Sequence, residues 1–181
     1  MDRIIGIIGA RKKPTYNAAI LRSVQQCVKA KCQIITGGAV GTDEKVLEYC
    51  INARWSIYTT VYIPSSIDDA PTARILNLLI SHGGNVYTIT DHSSKYASIF
   101  MRNTRIAEEA AVIIAFPSVN NSNGTWHTCR VAERLGKTII CYSPGKKPVR
   151  TLGSGIWHPL KNKWWLGFWK LEYISVMEGG V

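Results

Sequence analysis

Residues 3–36 read RIIGIIGARKKPTYNAAILRSVQQCVKAKCQIIT, and this stretch decides the fold class. Arg3–Ile8 is a short β-branched apolar run of the kind found in strands covered on both faces. Gln33–Thr36 is a second. Between them Ala19, Ile20, Ser23, Val24, Cys27 and Val28 recur at helical spacing, which predicts a helix over Tyr16–Ala30 with one apolar face. Strand, helix and strand in this order form a βαβ unit with a right-handed crossover.

The alternation continues along the chain. Ile57–Ile63, Asn85–Ile89, Ala111–Phe116 and Thr138–Tyr142 read as further strands, and Glu44–Ala53, Ala70–Ser81, Lys95–Glu109 and Trp126–Leu135 as the helices among them. The expected fold is α/β: a doubly wound, mostly parallel Rossmann-like sheet of about six strands with helices on both faces. Residues 1–145 make this domain. Residues 146–181, rich in Trp and Lys, read as an appendage, in which Trp165 and Trp169 stand one helical step apart.

Such sheets bind ligands beyond the carboxyl ends of their strands, so the loops there are where chemistry is expected. After the first strand, Gly9 and Ala10 leave the backbone open, and Arg11, Lys12 and Lys13 offer charge-assisted contacts to phosphate. A solvated basic turn would read the same. After the second, Gly37, Gly38, Ala39 and Gly41 form a bare backbone, and Thr42 or Asp43 can cap the next helix, Asp43 alternatively serving as partner for a ligand hydroxyl. Tight packing alone also accounts for such glycines. After the fifth, Ser122, Gly124 and Thr125 bring hydroxyls and N–H groups to a helix start, a seat for an anion. The spacing is not GxGxxG, so no dinucleotide fingerprint is present.

Composition bounds the partners. The 181 residues are 46% hydrophobic and 19% charged, which excludes general disorder. No apolar run approaches the roughly 20 residues that span a bilayer, and the N-terminus lacks a signal-peptide pattern, so a cytoplasmic protein without membrane contact is expected. The five cysteines are odd in number and include no CxxC pair, so they are expected to be reduced and mostly buried. His82, His92 and His158 lack companions at metal-ligand spacing, and no metal site is expected. Twenty-two Lys and Arg against twelve Asp and Glu give a net charge of +10. That balance suits a polyanionic partner.

Taken together, the segments IIGARK (7–12), ITGGAVGTD (35–43), RNTRIAEEAAVIIAF (102–116) and SNGTWHTCRVAERLGKTIICYSPG (122–145) resemble the superfamily that groups Smf/DprA DNA-processing proteins with LOG phosphoribohydrolases and molybdenum-cofactor carriers. The spacing of the motifs and the Pro-Gly after the sixth strand look more like the Smf/DprA branch. That resemblance implies single-stranded DNA binding in a basic pocket lined by Arg11, Lys12, Gly37, Gly38, Arg102, Asn103, Ser122, Gly124 and Thr125. The LOG motif PGGxGTxxE is not matched: Trp126, His127, Thr128 and Cys129 follow Gly124-Thr125, and no carboxylate stands in the catalytic position.

Three functions remain open from the residues. The first is binding of a nucleotide or a phosphate-bearing nucleotide derivative, which needs only glycines, helix N-termini and basic side chains. The second is DprA-like binding of single-stranded nucleic acid, to which the tail's interleaved Trp and Lys residues would add stacking and phosphate neutralisation; the same cluster would also serve as a packing face. The third is an enzyme acting on a nucleotide N-glycosidic bond, as in LOG-type hydrolysis, or on a phosphoester bond, with His127 or Glu133 as proton-transfer group. An exposed tryptophan cluster further suggests a homodimer or higher oligomer.

Overall fold

The computed structural model describes residues 3–11, 16–65, 70–91, 93, 96–118, 123–148, 152–153 and 155–173. Its elements in chain order are β1 (Ile4–Gly9), α1 (Asn17–Lys29), β2 (Gln33–Thr36), α2 (Thr42–Asn52), β3 (Thr59–Pro64), α3 (Ala70–Ser81), β4 (Asn85–Ile89), α4 (Ala97–Glu109), β5 (Val112–Phe116), α5 (Asn123–Arg134), β6 (Thr138–Tyr142), β7 (Gly155–Pro159) and β8 (Phe168–Tyr173). The first six strands pair in parallel.

Strand order across the sheet is β4-β3-β2-β1-β5-β6-β8-β7. The chain winds outward from β1 to β4, then returns through α4 to place β5 on the other side of β1. The order therefore reverses between β1 and β5, the place where an open α/β sheet leaves a crevice at its carboxyl end.

Alternation along each strand feeds two cores. Ile5, Ile7, Ile34, Ile114 and Phe116 meet Ala19, Ile20, Val24 and Cys27 of α1 together with Val46 and Cys50 of α2. On the opposite face Ile8, Ile35, Ile113 and Ala115 meet Ile106, Ala107 and Ala110 of the α4 end and Cys129 and Ala132 of α5. Ile20 is fully buried, and burial of such a side chain contributes roughly 1.5–3 kcal/mol. A third cluster, Leu47, Val61, Leu76 and Leu79, seats α3 against β3 and α2. Gly6 sits under α4, where a Cβ would come within 2.6 Å of Ile113 Cδ1, so the central strand has no room for a side chain.

The sheet has eight strands where six were expected. The tail supplies the other two as an antiparallel hairpin, with Phe168, Trp169 and Lys170 opposite Tyr142, Cys141 and Ile140. The helical spacing of Trp165 and Trp169 is thus not used as a helix. Trp165 closes a 3-10 turn at Lys163–Trp165 and meets Phe168 edge-on at 5.0 Å, while Trp169 lies in β8 and donates from Nε1 to Ser143 O at 3.0 Å. Aromatic residues favour such pleated, half-buried positions, and the pairing with β6 outweighs the local period.

All five cysteines are free and buried. Among the described residues no helix is long and apolar enough to cross a membrane.

Candidate functional site

At the β1/β5 reversal lies a cleft of about 540 Å³. Its floor is the end of β1, Ile8, Gly9, Ala10 and Arg11; one wall is α4 and the other the first turns of α5.

Arg102 sits in the middle of α4 with its side chain only 5% exposed. It donates from Nη1 to the Gly37 carbonyl, and the same nitrogen lies 3.5 Å from Asp43 Oδ2. Asp43 Oδ2 in turn accepts the Ala39 N–H at 3.2 Å. One guanidinium therefore ties the loop after β2 to the start of α2 and to α4. Burial pushes the Asp43 carboxyl above its usual range, against the opposing pull of Arg102, the Ala39 N–H, Thr36 and Arg11. Burial likewise lowers Arg102, opposed by Asp43, with Arg11 lowering it further. Asp43 Oδ1 and Arg102 Nε are buried with no hydrogen-bond partner, an exposed-to-nothing state that costs free energy unless a further group meets them.

The glycine loop is consumed in holding this arrangement. Gly41 caps α2 with φ +98°, and its N–H donates to Glu44 Oε2 at 3.4 Å. The Thr42 N–H donates to Ala10 O at 3.1 Å and the Glu44 N–H to Ala39 O at 3.1 Å. Asp43 is thus in the first turn of α2 and not its cap. Gly38 has φ +65°, and a Cβ there would meet Val61 and Ile63 at 2.8 Å, so it faces apolar core and not the cleft. A Cβ on Gly37 would collide with the Arg102 guanidinium.

Donors open to a ligand come from the other two loops. α5 begins at Asn123, earlier than its hydrophobic pattern indicates, so Gly124 and Thr125 belong to its first turn, where N–H groups lack intrahelical partners. Asn103 Nδ2 donates to Gly124 O at 3.5 Å, tying this turn to α4, and within α5 Thr128 Oγ1 donates to the same oxygen at 3.1 Å. Arg11 is exposed on the opposite side. A cationic side chain, a helix start and a water-accessible mouth are the groups from which anion sites are built.

Of the residues singled out in the sequence, Gly9, Ala10, Arg11, Ala39, Asp43, Arg102, Asn103, Gly124 and Thr125 line the cleft. Gly37, Gly38 and Gly41 stand behind it. Lys12 and Ser122, with Lys13 and His92, lie outside the described residues. His127 is elsewhere: it lines a second recess of about 440 Å³ with Phe100, Asp91, Arg105 and Glu108. Glu133 is also outside the cleft, close enough to Gly153 that a Cβ there would strike its carboxylate. Sequence reasoning missed Tyr96, Ile99, Phe100, Ile106 and Thr128, all of which line the cleft. Helical spacing held the signal, since Ile99, Arg102, Asn103 and Ile106 fall on one face.

The family model for DNA recombination-mediator protein A matches residues 1–157. No curated protein matches the chain. Among solved structures the chain is similar to DNA processing protein A from Helicobacter pylori, whose single-stranded DNA binding mode has been described, with TM-score 0.58 and 19% identity over 76% of this chain and 63% of that one. It is also similar to DNA processing protein A from Streptococcus pneumoniae, with TM-score 0.59 and 19% identity over 80% of this chain and 51% of that one. The chain thus spans less than two thirds of the length of either, and at this identity the likeness is one of fold.

Proposed function

The chain belongs to the DNA recombination-mediator protein A family, and from that premise we propose that it binds single-stranded DNA, with a nucleotide of the strand seated in the cleft between β1 and β5. The observation that carries the proposal is the convergence of the exposed Arg11, the first turn of α5 and the buried Arg102 on one water-accessible cleft. Exposed Tyr96 and Phe100 stand at its edge. An opening of this kind admits a strand that enters and leaves, and the net charge of +10 favours a polyanion over a single small anion.

Within this reading each residue has a stated task. Arg11 neutralises a phosphate. Gly124 and Thr125, in the first turn of α5, donate backbone N–H groups to another oxygen, with Asn103 and Thr128 holding the Gly124 carbonyl in place. Arg102 works through Asp43 and Gly37, keeping the cleft wall rigid; it is a positioning residue. The cleft volume also suits a free nucleotide, which makes mononucleotide competition part of the test.

Fluorescence anisotropy of a labelled oligothymidylate across a salt series provides that test. Wild-type protein is expected to bind with a steep negative salt slope, and Arg11→Ala to flatten the slope by about 0.7 for one lost phosphate contact. Gly124→Asp adds a carboxylate where a Cβ meets only Asn103 Nδ2 at 3.6 Å, so it should abolish binding while leaving the fold intact. Failure of the wild type to bind at low salt, or indifference to both substitutions, overturns the proposal. Displacement of the oligonucleotide by equimolar mononucleotide would favour the small ligand instead.

A further inference from the structure

The carboxyl rim of the sheet is divided by charge. Among the described residues, the segments leaving β1, β2, β5 and β6 (10–11, 16, 37–41, 117–118 and 143–148) and the β7–β8 turn (160–167) contain five Lys and Arg and no Asp or Glu. At the other side of the same rim, the described residues after β3 and β4 (65, 90–91, 93 and 96) contain Asp91 and no Lys or Arg. A strand leaving the cleft therefore meets favourable charge in one direction only.

That direction leads to the hairpin. Because β8 runs antiparallel to β6, with Phe168 opposite Tyr142, the β7–β8 turn comes out at the carboxyl rim, the end that also carries the cleft. The Ser143 N–H donates to Gly167 O at 2.9 Å and fixes the turn beside the loop that holds Lys146 and Lys147. Three strand spacings separate β1 from β8 through β5 and β6, a distance of about 14 Å. The turn is also built as a platform. Trp165 is packed against Phe168, whereas Trp164 is 42% exposed, with Lys163 Nζ 5.4 Å from its ring centroid. Lys170 and His158 face Glu172, but among the described residues neither Lys161 nor Lys163 has a carboxylate partner.

We propose that the β7–β8 turn is a second contact for single-stranded DNA, in which Trp164 stacks a base and Lys161 and Lys163 meet phosphates of a strand led from the cleft past Lys146 and Lys147. The inference rests on the single-stranded DNA reading above and extends it to residues beyond 157, where the family match ends. Base stacking on an exposed ring beside unpaired cations is tolerant of sequence and strongly dependent on salt.

The test compares oligothymidylates of about 3 and about 20 nucleotides, the shorter filling only the cleft. For the longer, Trp164→Ala is expected to weaken binding about tenfold, with Trp164→Phe retaining most of it. Lys161→Ala/Lys163→Ala should reduce the salt slope by about 1.4, for two phosphates. The shorter oligonucleotide should bind the Trp164 and lysine variants as it binds the wild type, and Lys29→Ala/Arg134→Ala, at the opposite end of the helices, should change binding of neither length. Thermal melting confirms that each variant is folded. If Gly124→Asp abolishes binding while the Trp164 and lysine variants bind the longer strand as the wild type does, the cleft stands and the turn proposal falls. Equal weakening for both lengths also overturns it, as does a change in sedimentation of Trp164→Ala without a change in DNA binding, which would make the turn a contact between copies of the chain. No binding by wild-type protein removes both proposals together.

Discussion

Arg102 Nη1 and Asp43 Oδ2 are 3.5 Å apart, and each side chain is only 5% exposed. A buried ion pair of this kind contributes little net stability, but removal of one partner leaves the other charge desolvated and unmatched. Arg102→Ala is therefore expected to destabilise the protein by about 3–5 kcal/mol in urea denaturation. Arg102→Met/Asp43→Asn removes both charges and keeps an acceptor for the Ala39 N–H. The double variant should recover most of that loss; equal destabilisation of single and double variants would show that the charge pair is not the cause.

Gly41→Ala probes the junction between the first two loops. Gly41 has φ +98°, and a Cβ there would lie 2.5 Å from Ala10 O. Both strain and collision act on the backbone that leads to Arg11. A loss of about 1–3 kcal/mol is expected, together with weaker DNA binding, measured by chemical denaturation and anisotropy on the same preparation. Wild-type affinity in a destabilised variant would separate the loop from the ligand.

His127 predicts an acid-side loss of stability. Burial, then the charges of Arg130 and Arg134, hold its pKa below the usual 6.5. Asp91, Arg105 and Glu108 line the same recess. Because the folded state disfavours the imidazolium, this contribution is complete above pH 6.5 and is lost as the pH falls through the lower folded-state value. The ring packs on Phe100 at 4.9 Å between centroids and its Nε2 is buried without a partner, so His127→Phe keeps the contact and removes the titration. Melting temperature from about pH 7.5 to about pH 5 should fall less for the variant. A constant difference between the two proteins across that range would exclude His127 as the source.

The thiols are expected to be unreactive in the native state. Burial pushes Cys50 and Cys129 up to about 12, and raises Cys27, Cys32 and Cys141 as well. Since the thiolate is the nucleophile, a disulfide reagent at mildly alkaline pH should label none of the five before unfolding and all of them afterwards. Rapid labelling of native protein would place at least one thiol at the surface.

The parts of this molecule that were legible in the sequence are those whose signal is local. The β-branched run at Ile4–Ile8 and the apolar stripe of Ala19, Ile20, Val24 and Cys27 specify strand and helix from neighbours alone. Gly124 and Thr125 were found because they precede an apolar helical pattern. The direction of Gly38 was not legible, since it depends on Val61 and Ile63 of a strand more than twenty positions later. Nor was the place of Tyr96 and Phe100, which reach the cleft because α4 returns across the sheet from β4. The hairpin was hidden for a similar reason: a tryptophan-rich tail carries no local mark of pairing with β6.

The reversal of strand order also sets a timetable. β1 can pair with β2 as soon as the α1 crossover has folded, but its other neighbour, β5, begins at Val112. The bond from Arg102 to Gly37 spans 65 positions and the α5 wall ends at Thr128. Contacts of such separation form slowly, because chain entropy is lost before they reward it. A growing chain therefore has its first four strands before either wall of its cleft, α4 or α5, and the hairpin that follows them seals the β6 edge that would otherwise be open to another chain.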